Sequence, residues 1–128
     1  MKKKFSNSWI SSKQPRKQRK YRENAPLHIK SKFLTAPLSK ELKQKHGKNS
    51  IQLRKGDVVK VLRGQYKKKT GKIARVMKKL GRVHVEGMEG VKKDGSKMPY
   101  PIHPSNLMIT ELNLEDKKRQ KSIERNKK

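Results

Sequence analysis

The chain has 128 residues, with 37 Lys and Arg against 10 Asp and Glu, a formal net charge of +27 and a pI of about 10.7. Only 30% of residues are hydrophobic and 37% are charged, so one domain's length cannot be filled with apolar side chains, and a small core with long polar extensions is expected. Such a charge repels itself unless a polyanion neutralises it, which points to nucleic acid; the longest apolar run, Leu107-Met108-Ile109, is far too short to span a membrane.

Residues 1–50 hold 15 basic and 2 acidic side chains and read as a basic extension. Met1 to Lys4 has the basic character of a signal peptide, but the following Phe5–Ser12 is mostly polar, so a cytoplasmic protein is predicted. The absence of cysteine agrees and removes disulfides and thiolate zinc sites. Lys13, Gln14, Arg16, Lys17, Arg19, Lys20 and Arg22 form a dense block, expected to be disordered alone and ordered only on a partner. Two short helices are predicted next. One begins near Asn24, with Pro26 in its first turn, and carries Leu27, Ile29 and Phe33. The other has Ser39 as N-cap, Glu41 in the first turn, Lys45 and His46 in the last, and Gly47 as the stop.

Residues 51–112, with 15 basic and 5 acidic side chains, change to a period of two. Val59 and Val61, Val83 and Val85, Met98 with Tyr100 and Ile102, and Leu107 with Ile109 each alternate with their neighbours. Ile73 and Val76 are three apart, which predicts a bulge or strong bend. Seven of the eight glycines lie here, mostly between strands. Five short strands suggest a small barrel, a mainly β fold, with Pro99 and Pro101 confined to an edge or irregular strand. Residues 113–128, with 7 basic and 3 acidic side chains, look helical, with Asn113 as a candidate cap. Leu114 and Ile123 are nine apart and give no apolar stripe, so a solvated or RNA-lying helix is predicted.

Chemistry concentrates in Lys55–Ile73. Two strands bracket a loop carrying Arg63, Gly64, Tyr66, Lys67, Lys68 and Lys69, with Lys72 just beyond. Glycines at both ends let the loop approach a phosphate backbone closely. Tyr66 can stack on an unpaired base or pack on the barrel wall, and packing is the favoured reading. Lys78, Lys79 and Arg82 add cations at the next turn.

This stretch resembles the KOW motif: Gly56-Asp57, alternating valines, Gly64 at the loop entrance and Gly71 before the next strand, continuing through Lys79–Gly87. Proteins with this motif fold as SH3-like barrels, and transcription elongation factors carry it too. Ser12–Lys20 with Asn24–His28, and Tyr100–Ile109, are similar to the ends of the archaeal and eukaryotic branch of the universal KOW-type large-subunit ribosomal protein, the L-twenty-four family. The resemblance covers about residues 12–120. It implies binding to large-subunit rRNA near its 5′ domain, an early assembly role, a place near the peptide tunnel exit, and neighbouring large-subunit proteins as partners. The family's loop usually has Gly where this chain has Lys68.

Enzymatic chemistry is not expected. Gly64 to Gly71-Lys72 has the wrong spacing for a P-loop, and Ile73 stands where Ser or Thr must bind magnesium. His28, His46, His84 and His103 are scattered, and no paired carboxylates stand out. No catalytic residue, metal, cofactor, small-molecule substrate, membrane partner or homo-oligomer is predicted. An elongation factor of the same motif is the alternative, although residues 1–50 are too basic and too poor in apolar residues to form the second folded domain that class normally carries.

Overall fold

The computed structural model describes residues 4–8 and 11–125. Expectations for residues 1–3, 9, 10 and 126–128 lie outside these.

The dense basic block is helical. Helix α1 runs Pro15–Asn24. Proline at its first position has no N–H to leave unpaired, and the straight-chain Lys, Arg and Gln that follow favour helix, so local propensity holds this segment against its own charge. Tyr21 also ties it down, with ring centroids 4.9 Å from Phe5 and 6.2 Å from Phe33. This differs from the disorder expected of the block. Helix α2, Leu27–Lys32, begins later than the start predicted near Asn24: Asn24 ends α1, and Pro26 is the N-cap of α2 rather than part of its first turn.

Helix α3, Lys40–His46, has the predicted limits: Ser39 Oγ accepts from Leu42 N, and Gly47 closes the helix at φ 65°. It sits between two strands that sequence reading missed, β1 (Thr35–Pro37) and β2 (Ser50–Gln52), paired antiparallel with Ala36 opposite Ile51. Three residues are too few to show a period. These strands draw part of the extension into the body. Leu34, Ala36 and Leu38 are buried in the same cluster as the sheet valines. Leu53 N donates to Leu34 O, and Ser39 N donates to Ile109 O, each at 2.9 Å.

The main sheet has the five expected strands, all antiparallel: β3 (Val58–Val61), β4 (Thr70–Met77), β5 (Arg82–Val91), β6 (Lys97–Ile102) and β7 (Leu107–Glu111), in the order β6-β5-β4-β3-β7. Strand β4 serves two ladders. Thr70–Lys72 pair with β3 and Ile73–Met77 with β5, and the register shifts between Ile73 and Arg75, the bend expected from the three-residue spacing. Val59, Val61, Ile73, Val83, Val85, Leu107 and Ile109 all point into the core.

On β6 the alternation overestimates burial. Ile102 is buried, but Met98 and Tyr100 are 48% and 44% exposed. The β5–β6 register slips between His84 and Glu89, so the outer half of this hairpin leaves the core. Gly87, at φ 80°, turns β5 there and brings Met88 inward instead. Pro99 and Pro101 lie on the edge strand, as expected.

The C-terminal helix α4, Lys117–Glu124, is shorter than predicted and is capped by Asp116 rather than Asn113. Nor is it only solvated. Arg119 and Ile123, one turn apart, are both buried. Among the described residues, no helix is long and apolar enough to cross a membrane.

Candidate nucleic-acid interface

Helices α1 and α2 lie against the β4–β5 turn and leave a groove between them. Its walls carry six cations: Arg22 from α1, Lys30 and Lys32 from α2, and Lys78, Lys79 and Arg82 from the turn. Phe33, Thr35, Leu80, Gly81 and His103 complete the lining, and no carboxylate is among them. Six cations without a counterion form a field that favours a polyanion, and groove walls of low dielectric focus it.

His103 responds to this field. Partial burial pushes its imidazole pKa below the ordinary value, and the charges of Arg82 and Arg22 push the same way. Its Nδ1 accepts from Ser105 N at 3.2 Å, which fixes the ring at the head of a 3-10 turn, Pro104–Asn106. The ring is held by the short turn.

A second cavity adjoins the first. Arg63, Gly64 and Tyr66 from the β3–β4 loop line it together with Arg82 and His103. Arg82 and His103 are therefore common to both cavities, so the loop and the helical extension flank the same two residues.

The loop is built tightly. Lys68 N donates to Val61 O at 2.8 Å, and Lys69 N to Tyr66 O at 3.0 Å. Lys68 sits at φ 72°, the left-handed region, and is the one non-glycine there among the described residues. The position at which the resembling family has Gly is thus the turn's strained point, and lysine occupies it. Arg63, Lys67, Lys68, Lys69 and Lys72 are exposed. Tyr66 is not available for stacking. It is buried, its hydroxyl donates to Glu89 O at 2.9 Å, and its ring lies 5.3 Å from that of Tyr100. Lys69 Nζ lies 5.2 Å from the Tyr66 ring centroid, a cation–π distance that steers this lysine.

The remaining predicted residues lie on the extension. Lys13, Gln14, Arg16, Lys17, Arg19 and Lys20 are exposed along the start of α1 and the turn before it. Lys13 shares a cavity with Tyr21, Arg22 and Phe33 on one side of the helix, and Lys17 and Lys20 share another with Phe5 and Tyr21. Sequence reasoning missed Lys30, Lys32 and His103, which only the packing of the extension on the β4–β5 turn brings to the groove.

Asp57 caps a turn by accepting from Arg54 N at 3.0 Å. It also accepts a two-pronged pair from Arg119, with Nη1 to Oδ1 at 2.6 Å and Nη2 to Oδ2 at 2.7 Å. No cluster of three His, Asp or Glu that could hold a metal occurs among the described residues.

A family model for the eukaryotic L26 and archaeal L24 ribosomal proteins matches residues 12–126. The "Large ribosomal subunit protein uL24" of Korarchaeum cryptofilum is 49% identical over 116 residues, covering 91% of this chain and 88% of that protein. The protein of the same name from Methanosarcina barkeri is 49% identical over 114 residues, covering 89% and 98%.

Proposed function

Since the chain belongs to the family of eukaryotic L26 and archaeal L24 ribosomal proteins, whose members are structural, non-enzymatic proteins of the large subunit of the cytoplasmic ribosome, we propose that it binds large-subunit rRNA through the surface that joins the helical groove to the β3–β4 loop. The observation that carries this is the sharing of Arg82 and His103 by both cavities, with six cations and no acid around the groove. The contacts are to phosphates and position the protein with little base readout. The exposed cations of α1 extend the path: Arg16, Arg19 and Arg22 offer two-pronged contacts, and Lys13, Lys17 and Lys20 act as point charges.

The same reading has the five strands closing as an SH3-like barrel over residues 51–112, flanked by the extension (1–50) and the C-terminal arm (113–128). It places the protein as a single copy on the 5′ domain of the rRNA, near the tunnel exit, beside other large-subunit proteins and early in assembly. Crosslinkers placed at Arg22, Lys79 and Arg63 in purified large subunits test it. Crosslinks to 5′-domain nucleotides from all three positions are expected. Free solvent access at Arg22 and Lys79 in the assembled subunit would overturn it.

A further inference from the structure

Four cations on the C-terminal arm are outside the surface just described. Lys117, Lys118, Lys121 and Arg125 are exposed. By helical geometry they project away from the face that buries Arg119 and Ile123, accompanied there by one acid, Glu124. An eight-residue helix this basic is too short and too self-repelling to persist alone. Its position is set from outside.

The device that sets it is polar. Arg119 is 4% exposed and Asp57 is fully buried. Beyond the two-pronged pair, Arg119 Nη1 donates to Asn113 O at 2.8 Å and Nη2 to Gln52 O at 3.1 Å, while Asp57 Oδ1 accepts from Asn113 N at 2.9 Å. Arg54 pairs with Asp116, which in turn caps α4 through Lys118 N at 2.9 Å. Lys48 Nζ donates to Ser122 O at 2.7 Å. A buried ion pair gains little net stability, because desolvation offsets attraction; what it gains is a fixed geometry. Here it turns one arginine inward and so orients the other cations.

The arm is also continuous with the groove. Gln52 and Arg54, which receive Arg119 and Asp116, line a shallow cavity with Lys55, Arg75 and Lys78, and Lys78 lines the groove as well.

We propose that Lys117, Lys118, Lys121 and Arg125 form a second surface for an RNA phosphate backbone, and that Asp57 and Arg119 are positioning residues that latch it in place. This rests on the rRNA-binding reading above. The test measures binding of a 5′-domain rRNA transcript over a salt series, for three variants beside the parent chain. Lys117→Gln/Lys118→Gln/Lys121→Gln leaves the latch intact, and its log–log salt slope should become shallower by roughly 2 to 3. Asp57→Asn/Arg119→Gln keeps the net charge. A charge-only account gives it unchanged affinity, whereas the latch gives a loss of about 5- to 8-fold at 0.1 M salt for each oriented phosphate contact that is lost. Amide protection should vanish from α4 and persist in β3 and β7.

The third variant, Lys78→Gln/Lys79→Gln/Arg82→Gln, probes the groove alone. An unchanged slope in the α4 lysine variant beside a weakened groove variant would overturn the second surface and leave the rRNA reading standing. Unchanged slopes in both would overturn the reading itself. An affinity in the charge-conserving double variant equal to the parent's, with α4 unprotected, would overturn the latch. If that double variant does not fold, the lysine variant decides the surface, and Arg54→Gln/Asp116→Asn, which keeps the net charge and loosens the same arm at the exposed pair, decides the latch by the same two measurements.

Discussion

Replacing Lys68 by glycine should make the protein more stable and a poorer RNA binder at once. At φ 72° the lysine's Cβ crowds its own backbone, a penalty of about 1–2 kcal/mol that glycine does not carry. Glycine brings its own cost, roughly 0.4–1 kcal/mol from the greater freedom of the unfolded chain. The difference leaves a gain of about 0.5–1 kcal/mol, which for a chain of this size raises Tm by roughly 2–4 °C. The three backbone hydrogen bonds that shape the loop, from Lys67, Lys68 and Lys69, need no side chain and remain. The lost ammonium removes at most one phosphate contact, so the log–log salt slope for rRNA should become shallower by roughly 0.7–0.9. Urea unfolding of the free protein and a salt series of RNA binding read the two effects separately. Lys68→Asn, which tolerates the left-handed region better than lysine, should fall between. A Lys68→Gly protein less stable than the parent would refute the strain argument. One with parental stability and parental salt slope would place Lys68 neither under strain nor on RNA.

Gly71→Ala should destabilise by about 1–3 kcal/mol, because the new Cβ would stand 2.7 Å from Glu86 O and 2.8 Å from Val85 Cγ1, where backbone cannot yield; Gly90→Ala, with its nearest neighbour at 4.0 Å, is the control that thermal melts should leave near the parent. Ser39→Ala should cost about 0.5–1 kcal/mol in urea unfolding, at the low end for an N-cap because the Oγ to Leu42 N distance is a long 3.4 Å. For His103 the folded state holds the proton less tightly than the unfolded state, so stability is complete above the ordinary imidazole range and declines as pH falls through it. His103→Gln should flatten that decline, and a stability that instead rises on acidification would contradict the assignment. In the complex a phosphate in the groove should draw the imidazole pKa back up, read as a shift in the His103 ring resonances between free and RNA-bound protein.

How much of this was legible in the sequence depended on whether the signal was local. Ser39 and Gly47 bound α3 because capping is read within one turn. The valine alternations gave β3 and the first half of β5, and the spacing of Ile73 and Val76 gave the bend in β4. The failures have the opposite character. Arg119 and Asp57 are 62 residues apart, so nothing near either one marked the pair. Lys30 and Lys32 became groove residues only when α2 met the β4–β5 turn. Leu34, Ala36 and Leu38 alternate in burial, but over five residues inside a basic extension, and the strand that pairs with them lies beyond α3. Met88 escaped because Gly87 reverses the strand's phase just before it. For the basic surface, composition pointed to a polyanion but not to a place for it, since charge is counted along a chain and a groove is assembled in space.

Strand β6 has a further meaning for the protein in the interval before it joins the ribosome. It stands last in the sheet order, paired among the described residues with β5, and it carries exposed Met98 and Tyr100, features that invite one molecule to add its strand to another. Two of its six residues, Pro99 and Pro101, have no N–H to offer, and Lys97 sets a charge at its start. A chain waiting for its ribosome therefore presents a neighbour with an edge that cannot be fully zipped. Pro99 and Pro101 limit how far a second strand could be added along β6.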